Sequence, residues 1–346
     1  MTKSRALFLL ATLASAARCT DVRVDPFSPV NDASPGESRA CPTDMVGFAT
    51  APGSTDATTG GGSTAAVSVS TLADLIAYAG RVAPAVISIA GMITVPTSSQ
   101  PMQVEVQSNK TILGADAHSG LTGGGFIIDG QQNVIIRNIV VSLPVGTDGI
   151  AVQAAQHVWI DHCDLSSDTT HSTSYYGWLT NIKHGTDFVT VSWSSFRDHF
   201  NTVQIGHSDT NGAEDTGHLT VTLHHNLFAG TWSGEPRVRF GTVHVFNNHF
   251  MSVMDYAIAS QDAAQVLVQS NVFESVAVPL TNTHEMTPPG ALGDVTNYYS
   301  ADSGANVLAT AGAPSFTFTT PPYAFMADST DSVPALVAAC VGPGKI

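Results

Sequence analysis

Two arginines stand two residues apart in Pro236-Arg-Val-Arg-Phe-Gly241, so on a strand Arg237 and Arg239 project their guanidinium groups from the same face. Such a pair can grip an anionic ligand or tie neighbouring strands together. His207-Ser-Asp209 holds the residue types of a nucleophilic relay, but adjacent residues on one loop cannot build it, because the relay needs groups that converge in space. Asp161-His162 and His224-His225 resemble acid–base couples. Both sit at an offset where sister segments carry Ser192-Trp193 and Phe246-Asn247, so they read as hydrogen-bonding groups of the framework. Lys183, beside Ile182 in a strand, reads the same way.

That framework is an eight-residue phrase of the form V-x-V-x-x-N-x-F. It runs over Asn133 to Val140, Val158 to Leu165, Val189 to Phe196, Val221 to Phe228, Val243 to Phe250 and Val266 to Phe273. Copies start about 22 to 32 residues apart, the period of a solenoid. Alternating apolar residues make a strand with one buried face, and the polar residue three places later marks a bend. Asn138, Cys163, Ser194, Asn226, Asn248 and Asn271 occupy that place, where stacking lets small polar side chains bond one another and the turn backbone. The pattern predicts an all-β chain, a right-handed parallel β-helix. A propeller needs four strands per repeat, and a helical solenoid needs apolar residues at i, i+3 and i+4, which these segments lack.

Of the 346 residues 43% are hydrophobic and only 12% charged, which suits strands buried inside one elongated coil. Lys3 and Arg5 precede the apolar run from Ala6 to Leu13, with Ala14-Ser-Ala16 behind it, so residues 1–17 read as a secretory signal and the protein as secreted. Arg18 argues against lipid attachment at Cys19. Residues 18–66, rich in Pro, Ser, Thr, Asp and Gly, read as an irregular lead-in that carries no site, and 67–346 as a single β-helix domain. Ser70 to Gly80 has a polar cap, an early acid and a closing glycine, the signs of a short helix capping the open end. After Phe273 the phrase fades into a Pro-rich tail expected to run along the outside or cap the far end. Cys19, Cys41, Cys163 and Cys340 permit two disulfides in three possible pairings, and Cys163, at a bend, is equally explained by burial.

Two repeat intervals carry extra residues, at Ser166 to Tyr176 and Gly206 to His218. Such insertions project as loops, and with Asp148-Gly149 and the Gly230 to Arg239 crossing they are expected to gather along one side of the rungs and wall a long groove for a chain-like ligand.

Val158-Trp-Ile-Asp-His162, Ile182-Lys-His-Gly-Thr-Asp187, Ile205-Gly-His-Ser-Asp209 and Pro236-Arg-Val-Arg-Phe-Gly241 carry a resemblance, joined by Ser108-Asn-Lys-Thr-Ile112 and Gly123-Gly-Gly125. Over about Thr71 to Phe273 the chain resembles the pectate lyases of polysaccharide lyase family 1. The resemblance implies secreted, Ca²⁺-dependent β-elimination of polygalacturonate, with an arginine removing the proton next to the uronate carboxylate. That proton is hardly acidic until cations neutralise the carboxylate, hence the need for Ca²⁺, Lys or Arg, and a base. Ca²⁺ takes about six to eight oxygens, mostly carboxylate.

Carried over position by position, the family's pattern meets Asp148 as a first metal ligand and then fails. Two further calcium acids fall on Gly177 and Asn181, of which Asn181 still offers one amide oxygen. The substrate-gripping lysine falls on Asn201 and the catalytic arginine on Gly234. Arg239 keeps its family position as a substrate contact, and Arg237 is a possible stand-in. From Pro144 to Glu274 the lysines and arginines are Lys183, Arg197, Arg237 and Arg239, against thirteen Asp and Glu, and the net charge is −15. A polyanion finds little attraction there. The expected protein is therefore an inactive or strongly impaired relative that still binds polygalacturonate, pectin or a related plant cell-wall polysaccharide, as a monomer with no nucleic-acid or membrane partner. The alternatives are an active pectate or pectin lyase using Arg237 or Arg239 as base, and a hydrolase, which needs a pair of acids across the groove that the sequence does not offer.

Overall fold

The computed structural model describes residues 40–50, 57–309 and 311–346. The expected signal peptide, Cys19 and most of the lead-in lie outside the described residues. Among those described, the strands stack in register as three parallel sheets of ten, eight and nine strands. Each turn of the coil gives one strand to each sheet. Ile150–Gln153 lies in the eight-stranded sheet, Gln156–Asp161 in the ten-stranded and Asp164–Ser166 in the nine-stranded. This is the parallel β-helix that the repeat predicts, with Val158, Val189, Val221, Val243 and Val266 side by side.

Inward residues of all three sheets fuse into one core that runs from Val69 to Leu280. At the last position of the phrase Phe196, Phe228, Phe250, Phe273 and Tyr299 form a continuous stack, with successive centroids 4.9, 4.9, 4.7 and 5.1 Å apart. The polar position forms a ladder inside the coil. Asn226 donates to Asn248 at 2.9 Å, Asn248 to Asn271 at 3.0 Å, and Asn271 to Asn297 at 3.0 Å. Just before it, five successive rungs turn through a left-handed residue: His162, Trp193, His225, Asn247 and Ser270 have φ between 48° and 53°. A left-handed non-glycine residue costs roughly 1–2 kcal/mol. The ladder's hydrogen bonds to the neighbouring backbone offset that cost.

Two expectations shift. In the first copy the phrase is one residue out of step, because the ladder sets Val134 beside Val158 and Arg137 beside Asp161. Asn138 is therefore a bend residue with φ 58°, and Ile139 takes the ladder place. The run of apolar residues Val134-Ile-Ile136 hides the alternation there. Nor does the phrase end at Phe273, since Ala291–Val295 and Tyr298–Tyr299 add a rung in which Leu292, Asn297 and Tyr299 replace Val, Asn and Phe.

The capping helix α1 spans Leu72–Ala79. Its N-cap is Thr71, whose hydroxyl accepts from the Asp74 amide at 3.1 Å, and Leu75 and Ala79 close the end of the core. The described part of the lead-in runs over the outer face of the ten-stranded sheet, where the Phe48 and Ala49 amides donate to Thr222 and Thr190 at 3.0 Å. The tail covers the same face. Tyr323 meets Thr222 and His244 at 2.7 and 2.8 Å, and Asp328 pairs with His225 at 2.9 Å. Helix α2, Gly212–Asp215, lies in the second insertion, and α3, Val333–Cys340, packs on Val272. Cys340 is bonded to Cys41 while Cys163 is a buried free thiol, which accounts for three of the four cysteines. No helix among the described residues is long and apolar enough to cross a membrane.

Candidate functional site

The outer face of the eight-stranded sheet gathers the candidate residues. Register places Ala151 beside Asn181, Asn181 beside Gln204, Gln204 beside Arg237 and Arg237 beside Ala259. Arg239, two residues along its strand, stands beside Gln261. The two insertions do not lie along one side as expected. Residues 167–179 lead into this sheet from the nine-stranded one, and 206–219 lead out of it to the ten-stranded one. They stand at opposite ends of its strands and so bound the groove on both flanks.

At the entry end the positions expected from the resemblance to carry metal acids converge. Asp148 accepts the Trp178 amide on one carboxylate oxygen at 2.8 Å and the Asn181 side-chain amide on the other at 3.0 Å. A Cβ on Gly177 would lie 2.6 Å from an Asp148 oxygen and equally close to the Thr147 backbone, so this rung has closed over the space a carboxylate would need. The amide oxygen of Asn181 is buried and unpartnered. One carboxylate already holding two N–H groups and one amide oxygen fall well short of a calcium shell. Among the described residues, no group of three or more His, Cys, Asp or Glu is placed to hold a metal ion. The residues present do not fit the ion.

One rung on, Asn201 donates to Thr173 of the first insertion at 3.5 Å. Gly234 has φ +75°, and a Cβ there would come within 2.8 Å of Trp178 Cζ3. The indole lies over the place where the resemblance leads one to expect an arginine side chain to leave the backbone.

Both arginines of the strand are engaged. Arg237 donates from Nε to Gln261 at 2.8 Å and forms an ion pair with Glu285. Arg239 pairs with Asp209, donates to the Gly206 carbonyl at 3.1 Å and has Asp262 at 3.7 Å. Burial, then the charge of Asp209, pushes the Asp262 carboxyl up to about 6, while Arg239 pulls the other way. Sequence reasoning missed Glu285 and Asp262, which lie on later rungs and outside every motif.

The other candidates belong to the framework, as the sequence suggests. Asp161 binds Arg137, His162 and Ser192 at 2.7, 2.7 and 2.6 Å, and Trp193 stacks between His162 and His225. His207 lies against His184 while Asp209 turns to Arg239, so His207-Ser-Asp209 forms no relay. His199 bridges Ser167 at 2.6 Å and the Gly177 carbonyl at 2.8 Å, and burial lowers it to about 4. It is neutral and pins the first insertion to the rung.

Sequence reasoning also missed Glu235, next to Gly234. It is fully buried; Thr202 faces one oxygen at 3.5 Å and the other has no partner. Burial pushes its carboxyl up to about 8, against smaller opposing effects of Thr231 and Thr202. An acid beside Pro236 gave no sign of being enclosed.

Comparison with known proteins identifies the fold and the family. A pectate lyase family profile matches residues 37–346. Pectate lyase A of Aspergillus niger is 45% identical over 185 residues, 53% of this chain and 57% of that enzyme, so the chain spans little more than half of that relative. Pectate lyase plyB of Emericella nidulans is 38% identical over 271 residues, 78% of each chain. Among solved structures, a Bacillus pectate lyase in complex with trigalacturonate is 28% identical with a TM-score of 0.71, covering 87% of this chain and 99% of that one. Pectate lyase II from Xanthomonas campestris shares the fold at 22% identity, with a TM-score of 0.70 and coverage of 87% and 99%. With its profile matched over nearly the whole described coil, the chain belongs to the pectate lyase family.

Proposed function

We propose that this protein is a secreted, monomeric member of the family that has lost β-elimination and keeps its groove as a surface for pectin, polygalacturonate or a related plant cell-wall polysaccharide. The observation that carries the reading is Gly234, a position with no side chain to act as base, over which Trp178 lies so that a Cβ would come within 2.8 Å of the indole. The asparagine at 201 and the incomplete oxygen set around Asp148 point the same way. Losing one charge-stabilising group costs about 10² to 10³ in rate, and this chain lacks several together.

Arg237 is held by Gln261 and Glu285, and Arg239 lies between Asp209 and Asp262, so both guanidinium groups are committed to partners within the protein. Both read better as structural cations that also line the groove.

The test is the ultraviolet absorbance of 4,5-unsaturated uronate after incubation with polygalacturonate and added Ca²⁺, and separately with methyl-esterified pectin. No rise is expected with either. A rise abolished by Arg237→Ala or Arg239→Ala would replace this reading with that of an active lyase.

A further inference from the structure

Resting on the reading of the groove as a glycan-binding surface, we infer that Tyr175, Trp178, Phe200 and Trp232 form a stacking shelf for an uncharged pyranose chain. The four surround Asn201, at the end of the groove where the resemblance places a cationic grip on a uronate.

Trp232 and Tyr175 are 43% and 40% exposed, large apolar surfaces at a corner of an otherwise polar rim. Each is held by a second ring. Trp232 leans on Phe200 with centroids 5.7 Å apart, and Tyr175 stacks on His171 at 4.1 Å with planes 15° apart. Tyr175 also meets the edge of Tyr176 at 4.9 Å, whose hydroxyl is fixed to Asp168 at 2.6 Å. Exposed rings held in place by such contacts lose little freedom when a ligand lands on them. The backbone brings the two sides together, since Trp232 donates to the His199 carbonyl at 2.9 Å and Asn201 reaches Thr173 in the loop that carries Tyr175.

Charge selects the ligand. Arg237 and Arg239 are already neutralised by carboxylates, and the chain has a formal charge of −15. A polyuronate would approach a surface of its own sign with no unpaired arginine beneath it. A neutral or fully esterified sugar chain instead presents C–H faces to the rings and hydroxyls to the Asn201 and Gln204 amides.

The full chain, Trp232→Ala, Trp232→Phe and Tyr175→Ala would be run in native gels containing highly methyl-esterified pectin, soluble β-1,4-galactan or polygalacturonate. Retardation is expected with at least one of the two uncharged chains, and less with polygalacturonate. Trp232→Ala should weaken binding about ten-fold, as removal of an exposed aromatic anchor does. Trp232→Phe should retain most of it, and the thermal midpoints should stay together. Stronger retardation by polygalacturonate, or unchanged binding in both alanine variants, overturns the shelf while leaving groove binding intact. No retardation of the parent by any of the three overturns both the shelf and the glycan-binding half of the proposed function, whereas the absorbance assay decides the loss of elimination independently.

Discussion

Trp178 lies so close to Gly234 that a Cβ on the glycine would sit 2.8 Å from indole Cζ3, and the glycine's φ of +75° is one that a side chain adopts only at a cost. Position 234 is therefore coupled to a residue two rungs away.

Gly234→Arg alone should lower the melting temperature. The left-handed backbone costs about 1–2 kcal/mol and the overpacking a further 1–3 or so. Trp178→Ala in the same chain should return the overpacking part, as thermal denaturation of the two single variants and the double would reveal. By the same logic, adding Gly177→Asp, Asn181→Asp and Asn201→Lys should not restore elimination while Trp178 is intact, and Gly177→Asp carries its own clash with the Thr147 backbone. An active, well-folded fourfold variant with Trp178 intact would refute this coupling.

Freeing the two arginines should draw a polyanion. Glu285→Gln with Asp209→Asn removes the carboxylate paired with Arg237 and the nearer of the two beside Arg239, and affinity for polygalacturonate should rise about three- to five-fold, with a steeper dependence on salt. Gel retardation at two ionic strengths measures it; no change at either would place the arginines out of the ligand's reach.

Glu235 should make stability fall as pH rises. Its carboxyl is pushed up to about 8 in the fold, whereas in the unfolded chain it ionises near its usual 4.5. Below the unfolded value both states are protonated and the fold has no penalty. Between about 4.5 and 8 the unfolded state releases its proton first, so stability declines by up to a few kcal/mol and then levels off. Glu235→Gln should remove that part of the slope and melt higher than the parent at pH 8. Parallel pH–stability curves for the two proteins would contradict the buried-acid account.

Breaking the ladder should be expensive. Asn248 accepts from the Asn226 backbone and side chain and donates to Leu223, Phe246 and Asn271, all within 3.0 Å. Asn248→Leu leaves several of those groups buried without partners at about 1–3 kcal/mol each, and urea unfolding should register a loss of at least about 3 kcal/mol.

The coil was legible because its rule is local and repeated. Valine alternation and the asparagine three places on recur within eight residues, so even the slip at Asn138 moved one copy by one place without changing the fold. The groove was legible where it rests on strand parity, as for Arg237, Arg239 and Asn181. What eluded the sequence depends on distance along the chain. Trp178 is an unremarked neighbour of Gly177 until the coil sets it over Gly234. Glu285 reaches Arg237 from a segment past the recognisable repeats. Burial of Glu235 is likewise a property of the turns around it.

The ladder bonds join residues 31, 32, 22, 23 and 26 positions apart, yet the segment from strand to bend to aromatic stack keeps the same length in each of those rungs. All the variation in rung length falls at the other two corners, which flank the groove. The coil thus divides its heritable information: one corner spells the architecture, and the two facing the ligand can be rewritten, lengthened or stripped of their chemistry without the architecture recording the change. A lineage can retire its reaction centre and still inherit an intact scaffold for a different use.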